Sequence, residues 1–471
     1  MQRSNTLRFS YSVIIILYAL LHFVHAFYPA PYVSVGLSVL GMLAFLFSIF
    51  FLQLQKASIA LFLFMLAIII HLVSGHSIME GAMSGFTVMS GLIALLLIVP
   101  TISWVLKEKP YIESVIQYAQ KMLNTSRKFY FGMMFITQVI SFFLLFGAIP
   151  MVYQMVNDFL KNEQGEAWEN YKGTALLRGF ALTTMWVVSI PSFVFAVEHL
   201  DASLSLSILQ GAIISLAGIA LSLCFSYFQE KKYRINLTKG IQYELSAINE
   251  HGTGNGNRFV TEFAILFITL FGTIFLLNSV LPLDLLLLIP LVIAGWIALY
   301  FVLHNRTAAL VKHGRTYVKD DITNQSQQFS ILLSAGFLIH AVQSSGFGSY
   351  LVDGMFFLSD AVPFLNFLFV LPFVVIVLGF IGLGPLTVIV LVSGILQGVS
   401  LPYPPEIVVL GITSGSVISI MLSPLILPVI ILSSTNQLGT FKNGFKFNIA
   451  YSIAFYLLVQ IYLQSYVHFI L

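Results

Sequence analysis

Apolar runs of about 20 residues recur along the chain, separated by short polar loops. A helix needs about 20 such residues to cross the hydrocarbon core of a bilayer. The pattern therefore predicts an all-α polytopic membrane protein. The clearest runs lie at 10–28, 32–54, 57–75, 83–105, 203–227, 259–279, 281–303, 329–345 and 446–468.

Lys and Arg residues fix the expected orientation of these spans. They occur at the N-terminus and in the loops 107–128, 228–258, 304–328 and 442–446, whereas the segments 75–82, 278–283 and 346–360 contain none. Because cytoplasmic loops carry an excess of Lys and Arg, the N-terminus and the basic loops are predicted to be cytoplasmic. We expect a multi-pass protein of a bacterial cell membrane.

Two apolar regions, 128–200 and 361–432, are interrupted by Gly, Pro and Ser, and each is longer than one span. If all the basic loops lie on the same side of the membrane, each of these two regions must begin on one side and end on the other or must be completed by a neighbouring span, which leaves one net crossing of the membrane for each region. Segment 128–160 is too short to cross twice, because each crossing takes about 20 residues. The simplest solution is a cytoplasmic re-entrant hairpin at 128–158 with a crossing at 175–199, and an outer hairpin at 361–399 with a crossing at 406–432.

The elements then follow the same order twice with opposite orientation, which is an inverted-topology repeat. The predicted fold has about 11 transmembrane helices plus two opposed re-entrant hairpins. Its parts are an extra N-terminal helix at 1–31, a first repeat at 32–227, a cytoplasmic linker at 228–258 and a second repeat at 259–471.

Composition narrows the function classes. The chain is 58% hydrophobic and 9% charged, and its net charge of +3 lies in loops flanking the spans, which does not suit nucleic-acid binding. The single cysteine, Cys224, excludes a disulfide framework or a cysteine metal cluster. The glycine-rich segment 251–258 lacks the Gly-Lys-Ser/Thr ending of a phosphate-binding loop. We expect no enzyme activity, no metal site and no cofactor.

Candidate chemistry lies where the helices are interrupted: the hairpin tips at Gly147–Pro150 and Gly379–Pro385, and the breaks at Ser189–Ser192 and Ser423–Pro428. Unpaired peptide groups are costly in hydrocarbon and persist only against protein, water or a ligand. Half-helix N-termini attract anions and unwound carbonyls attract cations. The expected substrate-binding residues are Gly147, Pro150, Thr184, Ser189, Pro191, Ser192, Gly382, Gly384, Pro385, Thr387, Ser419, Ser423 and Pro424. The alternatives are that each Pro or Gly is a simple kink and that each hydroxyl caps its own helix backbone.

Three ionisable residues at membrane depth are candidates for coupling transport to an ion gradient: Arg178, Glu198 and His340. Arg178 is placed at the start of the first broken helix, where it could meet an anion or extend to the cytoplasmic headgroups. Glu198 could relay a proton with its neighbours or sit in the interface. His340 could titrate or stay neutral and hydrogen-bonded.

Three segments resemble parts of the ion transporter superfamily, in particular the divalent anion–sodium symporters. "IHAVQSSGFGSYLVDGMFF" (339–357) resembles the arm before the second hairpin, "LGFIGLGPLTVIVLVSGIL" (378–396) the hairpin, and "MLSPLILPVIILSSTNQLG" (421–439) the broken helix. The Ser-Asn-Thr motif of those hairpin tips is absent, and "SSTNQ" is expected past the broken helix. The resemblance implies a homodimer that carries a small, organic anion by elevator-type alternating access.

The sequence thus favours a secondary transporter coupled to a H⁺ or Na⁺ gradient, with an anionic solute, membrane lipid and a second copy of the chain as partners. Two alternatives stay open: a flippase for a lipid-linked precursor, and an integral membrane subunit of a larger complex.

Overall fold

The computed structural model describes residues 2–112, 114–115, 123–160, 163–248, 256–361 and 366–470. These residues form helices and no β-strand. The helices are α1 Gln2–Phe27, α2 Pro31–Phe51, α3 Leu54–Ser74, α4 Ile78–Val88, α5 Ser90–Ile98, α6 Ile102–Leu106, α7 Ser126–Leu144, α8 Ala148–Phe159, α9 Glu166–Thr183, α10 Pro191–His199, α11 Leu204–Tyr233, α12 Leu237–Ile248, α13 Gly256–Val280, α14 Leu285–Leu303, α15 Thr307–Thr316, α16 Ile322–Asn324, α17 Ser326–Ser344, α18 Phe347–Ala361, α19 Phe367–Phe380, α20 Pro385–Leu396, α21 Pro405–Leu422, α22 Leu427–Asn436 and α23 Phe447–Ile470. A 3₁₀ turn at Leu145–Gly147 and π-helical turns at Tyr317–Asp321 and Lys442–Lys446 join some of them.

Within this described part of the chain, 10 helical stretches are long and apolar enough to cross a membrane, or 11 if the sharply bent pair α17–α18 is counted as one. Large apolar side chains on these helices remain exposed, such as Phe50, Phe62 and Ile268. Apolar side chains on an outer surface are stable in lipid but not in water. The helical architecture bears out the predicted class of a polytopic membrane protein.

The apolar stretch Ser126–Phe159 does not run straight. Leu145 has a φ of 48°, and the chain turns back there, so that the rings of Phe129 and Phe159 stack with centroids 5.2 Å apart. α7 and α8 are therefore the two arms of a hairpin. Pro150, expected at the tip, lies instead in the first turn of α8, where a residue without an N–H is tolerated.

A second tight turn joins α19 to α20. Gly382 has a φ of 99° in this turn, a conformation that favours glycine because it has no Cβ. Pro385 is the first residue of α20, with Gly384 as its N-cap. Residues 362–365 of the predicted hairpin 361–399 lie outside the described residues.

Two helices are broken where breaks were expected, but the bounds of the breaks differ from the predicted ones. The first is interrupted between α9 and α10, at 184–190, and α9 starts at Glu166 rather than near residue 175. Pro191 and Ser192 were predicted in the break and instead begin α10, because proline is well suited to the first position of a helix.

The second break, at 423–426, separates α21 from α22. Pro428 was predicted in this break and instead lies in the first turn of α22. Residues 433–436 were expected past the helix and form its last turns. A run of Ser, Thr and Asn has a modest cost in a helix, and tertiary packing overrides it.

The predicted linker 228–258 is largely helical where it is described. α11 continues to Tyr233, and α12 occupies Leu237–Ile248. Residues 249–255, which include most of the glycine-rich segment, lie outside the described residues, as does Lys121 of the basic loop 107–128.

The interrupted helices pack in matching pairs. α7 packs on α9 and α19 packs on α21, while α10 packs on α20 and α22 packs on α8. The first two pairs approach closely at glycine. A Cβ at Gly179 would lie 2.8 Å from the carbonyl oxygen of Met134, and one at Gly415 would lie 2.5 Å from that of Pro372. A second group of helices, α2, α3 and α4, packs around α17.

Candidate functional site

A small cavity of about 40 Å³ lies where the interrupted helices meet α5 and α17. The first hairpin contributes Phe146 and the second contributes Pro385, while Thr184 and Ser192 flank the first break. Ser416 of the second broken helix completes the polar part of the lining. A cavity of this size holds a few water molecules or a small ion. The fold therefore brings segments from both halves of the chain to one place.

Two helices begin at the cavity wall. α10 starts at Pro191 and α20 at Pro385, and neither has a side chain that caps its N-terminus. The first N–H groups of a helix lack intrahelical partners and carry a partial positive charge. Both helix ends therefore favour an anion or an electronegative atom in the cavity.

Buried hydroxyls without partners lie in and around the same region. The Oγ atoms of Ser189, Ser416 and Ser419 are buried and make no hydrogen bond with the described protein. Leaving a buried hydroxyl unpaired costs about 1–3 kcal/mol, so such groups usually have a partner. Of the three, Ser416 lines the cavity directly. Its hydroxyl is available to a solute or to water.

The cavity lining contains no ionisable side chain. Its polar groups are the hydroxyls, the amide of Gln328 and the helix ends. An anion bound there would be held by partial charges rather than by an ion pair. Among the residues that the structure describes, no group of three or more His, Cys, Asp or Glu could hold a metal ion.

The predicted substrate-binding residues divide into two sets. Those that line the cavity are Thr184, Pro191, Ser192 and Pro385. Those that lie nearby in the tips, breaks and adjoining helices without lining it are Gly147, Pro150, Ser189, Gly382, Gly384, Thr387, Ser419, Ser423 and Pro424. The Oγ of Ser419 occupies the space beside Gly379, which has no side chain, so this serine packs helix α21 against the second hairpin.

Sequence reasoning missed the residues that close the cavity from the other group of helices. Leu96 belongs to α5 and was assigned to an ordinary span, whereas Gln328 belongs to α17 but was assigned to the basic loop before it. Phe146 and Phe180 were also overlooked; their rings pack with centroids 5.5 Å apart beside the cavity. The one available indication was Gln328, a polar residue at the start of an apolar helix.

Arg178 is fully buried, so the expectation that it extends to the headgroups is wrong. It lies in the middle of α9 rather than at its start, and its Nε donates to Asn448 Oδ1 at 2.9 Å. Its other donors bond Tyr130, Ser222 and the carbonyl oxygen of Phe447. The guanidinium thus ties α9 to α7, α11 and α23, and neither Arg178 nor these partners line the cavity.

Glu198 lies at the end of α10, in a separate pocket of about 400 Å³ that also contains His199 and Asp201. One carboxylate oxygen of Glu198 accepts a hydrogen bond from the backbone N–H of Leu285 at 2.9 Å. This contact caps the N-terminus of α14, which has no other side-chain cap.

His340 also lies apart from the cavity. Its ring faces that of His71 with centroids 5.9 Å apart, at the contact between α17 and α3. His71 is fully buried, stacks on Phe337, and neither of its ring nitrogens has a hydrogen-bond partner in the described protein. The three coupling candidates therefore occupy three different places.

No protein-family model matches this sequence, and no curated protein sequence matches it significantly. The interpretation of the cavity rests on its geometry.

Proposed function

We propose that the protein is a secondary transporter that moves a small, organic anion across the cell membrane by alternating access. The observation that carries this proposal is the cavity itself. Two uncapped helix N-termini and the unpaired hydroxyl of Ser416 converge there, among largely apolar residues. A solute with oxygen acceptors and a negative charge would satisfy these groups together.

The proposal includes a topology, and the packing of the helices supports one part of it, the inverted repeat. The two hairpins are re-entrant from opposite faces of the membrane, with the N-terminus in the cytoplasm. The matching pairs α7–α9 and α19–α21, each closed by a glycine contact, support an inverted repeat. The hairpins and broken helices form one unit, which we call the carrier unit. The helices α1–α6 and α13–α17 form the other, which we call the frame.

The cavity lies between these two units. Leu96 and Gln328 in its lining belong to the frame, and the hydroxyl-bearing residues of the lining belong to the carrier unit. A movement of the carrier unit along the frame would carry a bound solute across. Transport is coupled to a H⁺ or Na⁺ gradient in this proposal, and the protein acts as a homodimer. The cavity in this conformation holds only a few water molecules, so the proposal requires it to widen as the carrier unit moves. Its size still favours a small solute over a lipid-linked precursor, whose long chain needs an open groove.

Uptake by proteoliposomes tests the proposal. Purified protein is reconstituted and offered a panel of labelled mono- and dicarboxylates, with imposed H⁺ or Na⁺ gradients and with none. We expect uptake of at least one carboxylate that depends on the gradient and is absent from empty liposomes. If no member of the panel enters under any gradient, although light scattering shows intact vesicles and circular dichroism shows that the protein in them is helical, the proposal is wrong.

A further inference from the structure

Another pocket, which shares no lining residue with the cavity, lies between the start of α1 and the π-helical turn that follows α15. Its volume is about 540 Å³, and its lining includes Arg8, Arg315 and Lys319. Phe9 and Val318 supply apolar walls, and Asp320 is the single acidic residue in the lining. Three cations from two separate elements thus surround one concave space, with one carboxylate to offset them.

The three cations have no ion-pair partner among the described residues. Elsewhere in the basic loops, Lys109 and Arg306 each pair with a glutamate. Like charges around one pocket repel each other unless an anion lies between them. The pocket is therefore electrostatically complementary to a phosphate group.

The pocket is fixed by contacts on both sides. Tyr317, the first residue of the π-helical turn, donates its hydroxyl to the carbonyl oxygen of Leu97 at 2.7 Å. The hydroxyls of Ser12 and Thr323 bond at 3.3 Å and hold α1 against the segment that follows this turn. The charged groups consequently project from an anchored backbone and not from a loose loop.

The pocket lies at the end of a span, at the level where a lipid headgroup would lie. The apolar part of α1 begins at Leu7, next to Arg8, so the cations lie at the edge of the span. Leu7, Phe9 and Val311 beside the pocket are about half exposed, at 48%, 57% and 54%. A ligand that fits both features has a phosphate at one end and hydrocarbon at the other.

We propose that this pocket binds the headgroup of an anionic phospholipid in the leaflet on the side of the basic loops. The phosphate lies among Arg8, Arg315 and Lys319, and the acyl chains run along the exposed apolar face of α1. Basic pockets at this level between membrane helices are suited to anionic lipids. This site belongs to the frame and does not depend on the proposed transport activity.

Native mass spectrometry of the purified full-length protein, titrated with phosphatidylglycerol or phosphatidylcholine, tests the site. The variant Arg8→Gln/Arg315→Gln/Lys319→Gln should bind phosphatidylglycerol about 100-fold more weakly, since each cation near a lipid phosphate contributes about a factor of five. The control variant Lys231→Gln/Lys232→Gln/Arg234→Gln removes the same charge from another basic loop and should bind as the wild type does. Equal loss in both variants, or equal wild-type binding of the two lipids, would overturn the proposal.

A second arm separates a lipid from free phosphate. Inorganic phosphate and glycerol 3-phosphate at millimolar concentration should not displace bound phosphatidylglycerol, because they lack the acyl chains. Displacement by either would show that the pocket takes a soluble phosphate and would refute the lipid assignment. If the triple variant does not fold, Lys319→Gln alone should still weaken the binding about fivefold.

Discussion

The hydroxyl of Ser416 can be tested directly, because it has no partner in the fold. Replacing Ser416 by Ala removes an unpaired polar group, so we expect the midpoint of thermal unfolding to stay the same or rise. If the hydroxyl bonds the solute, the same variant should raise the KM for uptake about 5- to 10-fold, equivalent to one hydrogen bond of about 1–1.5 kcal/mol.

Ser414 provides the matched control on the same helix. Its hydroxyl donates to the carbonyl oxygen of Gly411 at 2.8 Å and does not line the cavity. Ser414→Ala should lower stability by about 1 kcal/mol and leave the KM unchanged. A KM that responds to Ser414→Ala and not to Ser416→Ala would exclude the cavity as the binding site.

For Arg178 we expect the opposite of the result for Ser416, namely a loss of stability, because its hydrogen bonds hold several helices together. Arg178→Lys keeps the charge but loses the geometry that reaches Asn448, Ser222 and Tyr130 at once. Leaving buried hydrogen-bonding groups without a partner costs about 1–3 kcal/mol each, so the thermal midpoint in detergent should fall sharply. If the variant keeps its stability but its uptake depends differently on an imposed ion gradient, Arg178 instead takes part in coupling transport to that gradient.

The cavity residues and Arg178 also show which features of the site could be predicted from the sequence. Pro191, Ser192 and Pro385 could be placed near a site because proline and serine interrupt a long apolar run. The burial of Arg178 could not be foreseen, since its partner Asn448 lies 270 positions away. Gln328 was missed for the same reason: helix periodicity does not say which helix a face will meet.

At the scale of elements, the hairpin arm α19 and the broken helix α21 are in contact along their backbones. Gly415→Ala would place a methyl group 2.5 Å from the carbonyl oxygen of Pro372, so the two helices must separate. We expect a loss of about 1–3 kcal/mol in stability, measured by thermal or chemical unfolding in detergent.

Gly295 in α14 serves as the control for this substitution. Apart from the neighbouring residues and the backbone of its own helix, no atom lies within 4 Å of the Cβ that Gly295→Ala would add. This variant should therefore be neutral or more stable by up to about 1 kcal/mol, the helix propensity of Ala over Gly. Equal destabilisation by the two variants would mean that the close contact of α19 and α21 is not required.

The positions of the spans could be predicted from the sequence more accurately than the ends of the broken helices. The apolar spans were placed within a few residues, because the bilayer sets their length. The ends of the broken helices were placed less well, since Pro191 and Pro428 start helices that they were expected to interrupt. A proline in the sequence restricts φ and removes a donor, but it does not reveal whether the helix ends before it or begins at it.

At the scale of the whole molecule, an ion-pair cluster outside the spans joins the two halves of the chain. Glu108 contacts Arg306 and lies 3.2 Å from the ring nitrogen Nε2 of His313. Burial by itself would raise the pKa of Glu108, but the hydrogen bonds from Arg306 and His313 together outweigh it and hold the pKa below its usual value of 4.5.

Stability should therefore depend on Glu108 at low pH. Its contribution is complete above pH 4.5 and is lost as the pH falls through the lowered pKa of the folded state. The difference in thermal midpoint between the wild type and Glu108→Gln should be largest near neutral pH and shrink below pH 4.5. A difference that grows on acidification would contradict this assignment.

The movement of the carrier unit along the frame can be tested at the contact between α17 and α20. A Cβ added at Gly394 would lie 3.0 Å from Cγ1 of Ile339, close enough for a disulfide after small adjustments. In a Cys224→Ser background, Ile339→Cys with Gly394→Cys should cross-link on oxidation and stop uptake, and reduction should restore it.

The control pair, Gly41→Cys with Phe86→Cys, joins α2 to α4 within the frame, where the two Cβ positions lie 2.9 Å apart. Oxidation of this pair should leave uptake intact, because neither helix moves relative to the other. The comparison separates arrested movement from general damage by the oxidant. Full uptake by protein in which 339 and 394 are completely cross-linked would show that α17 and α20 travel together, and a carrier that slides along this frame would then be excluded.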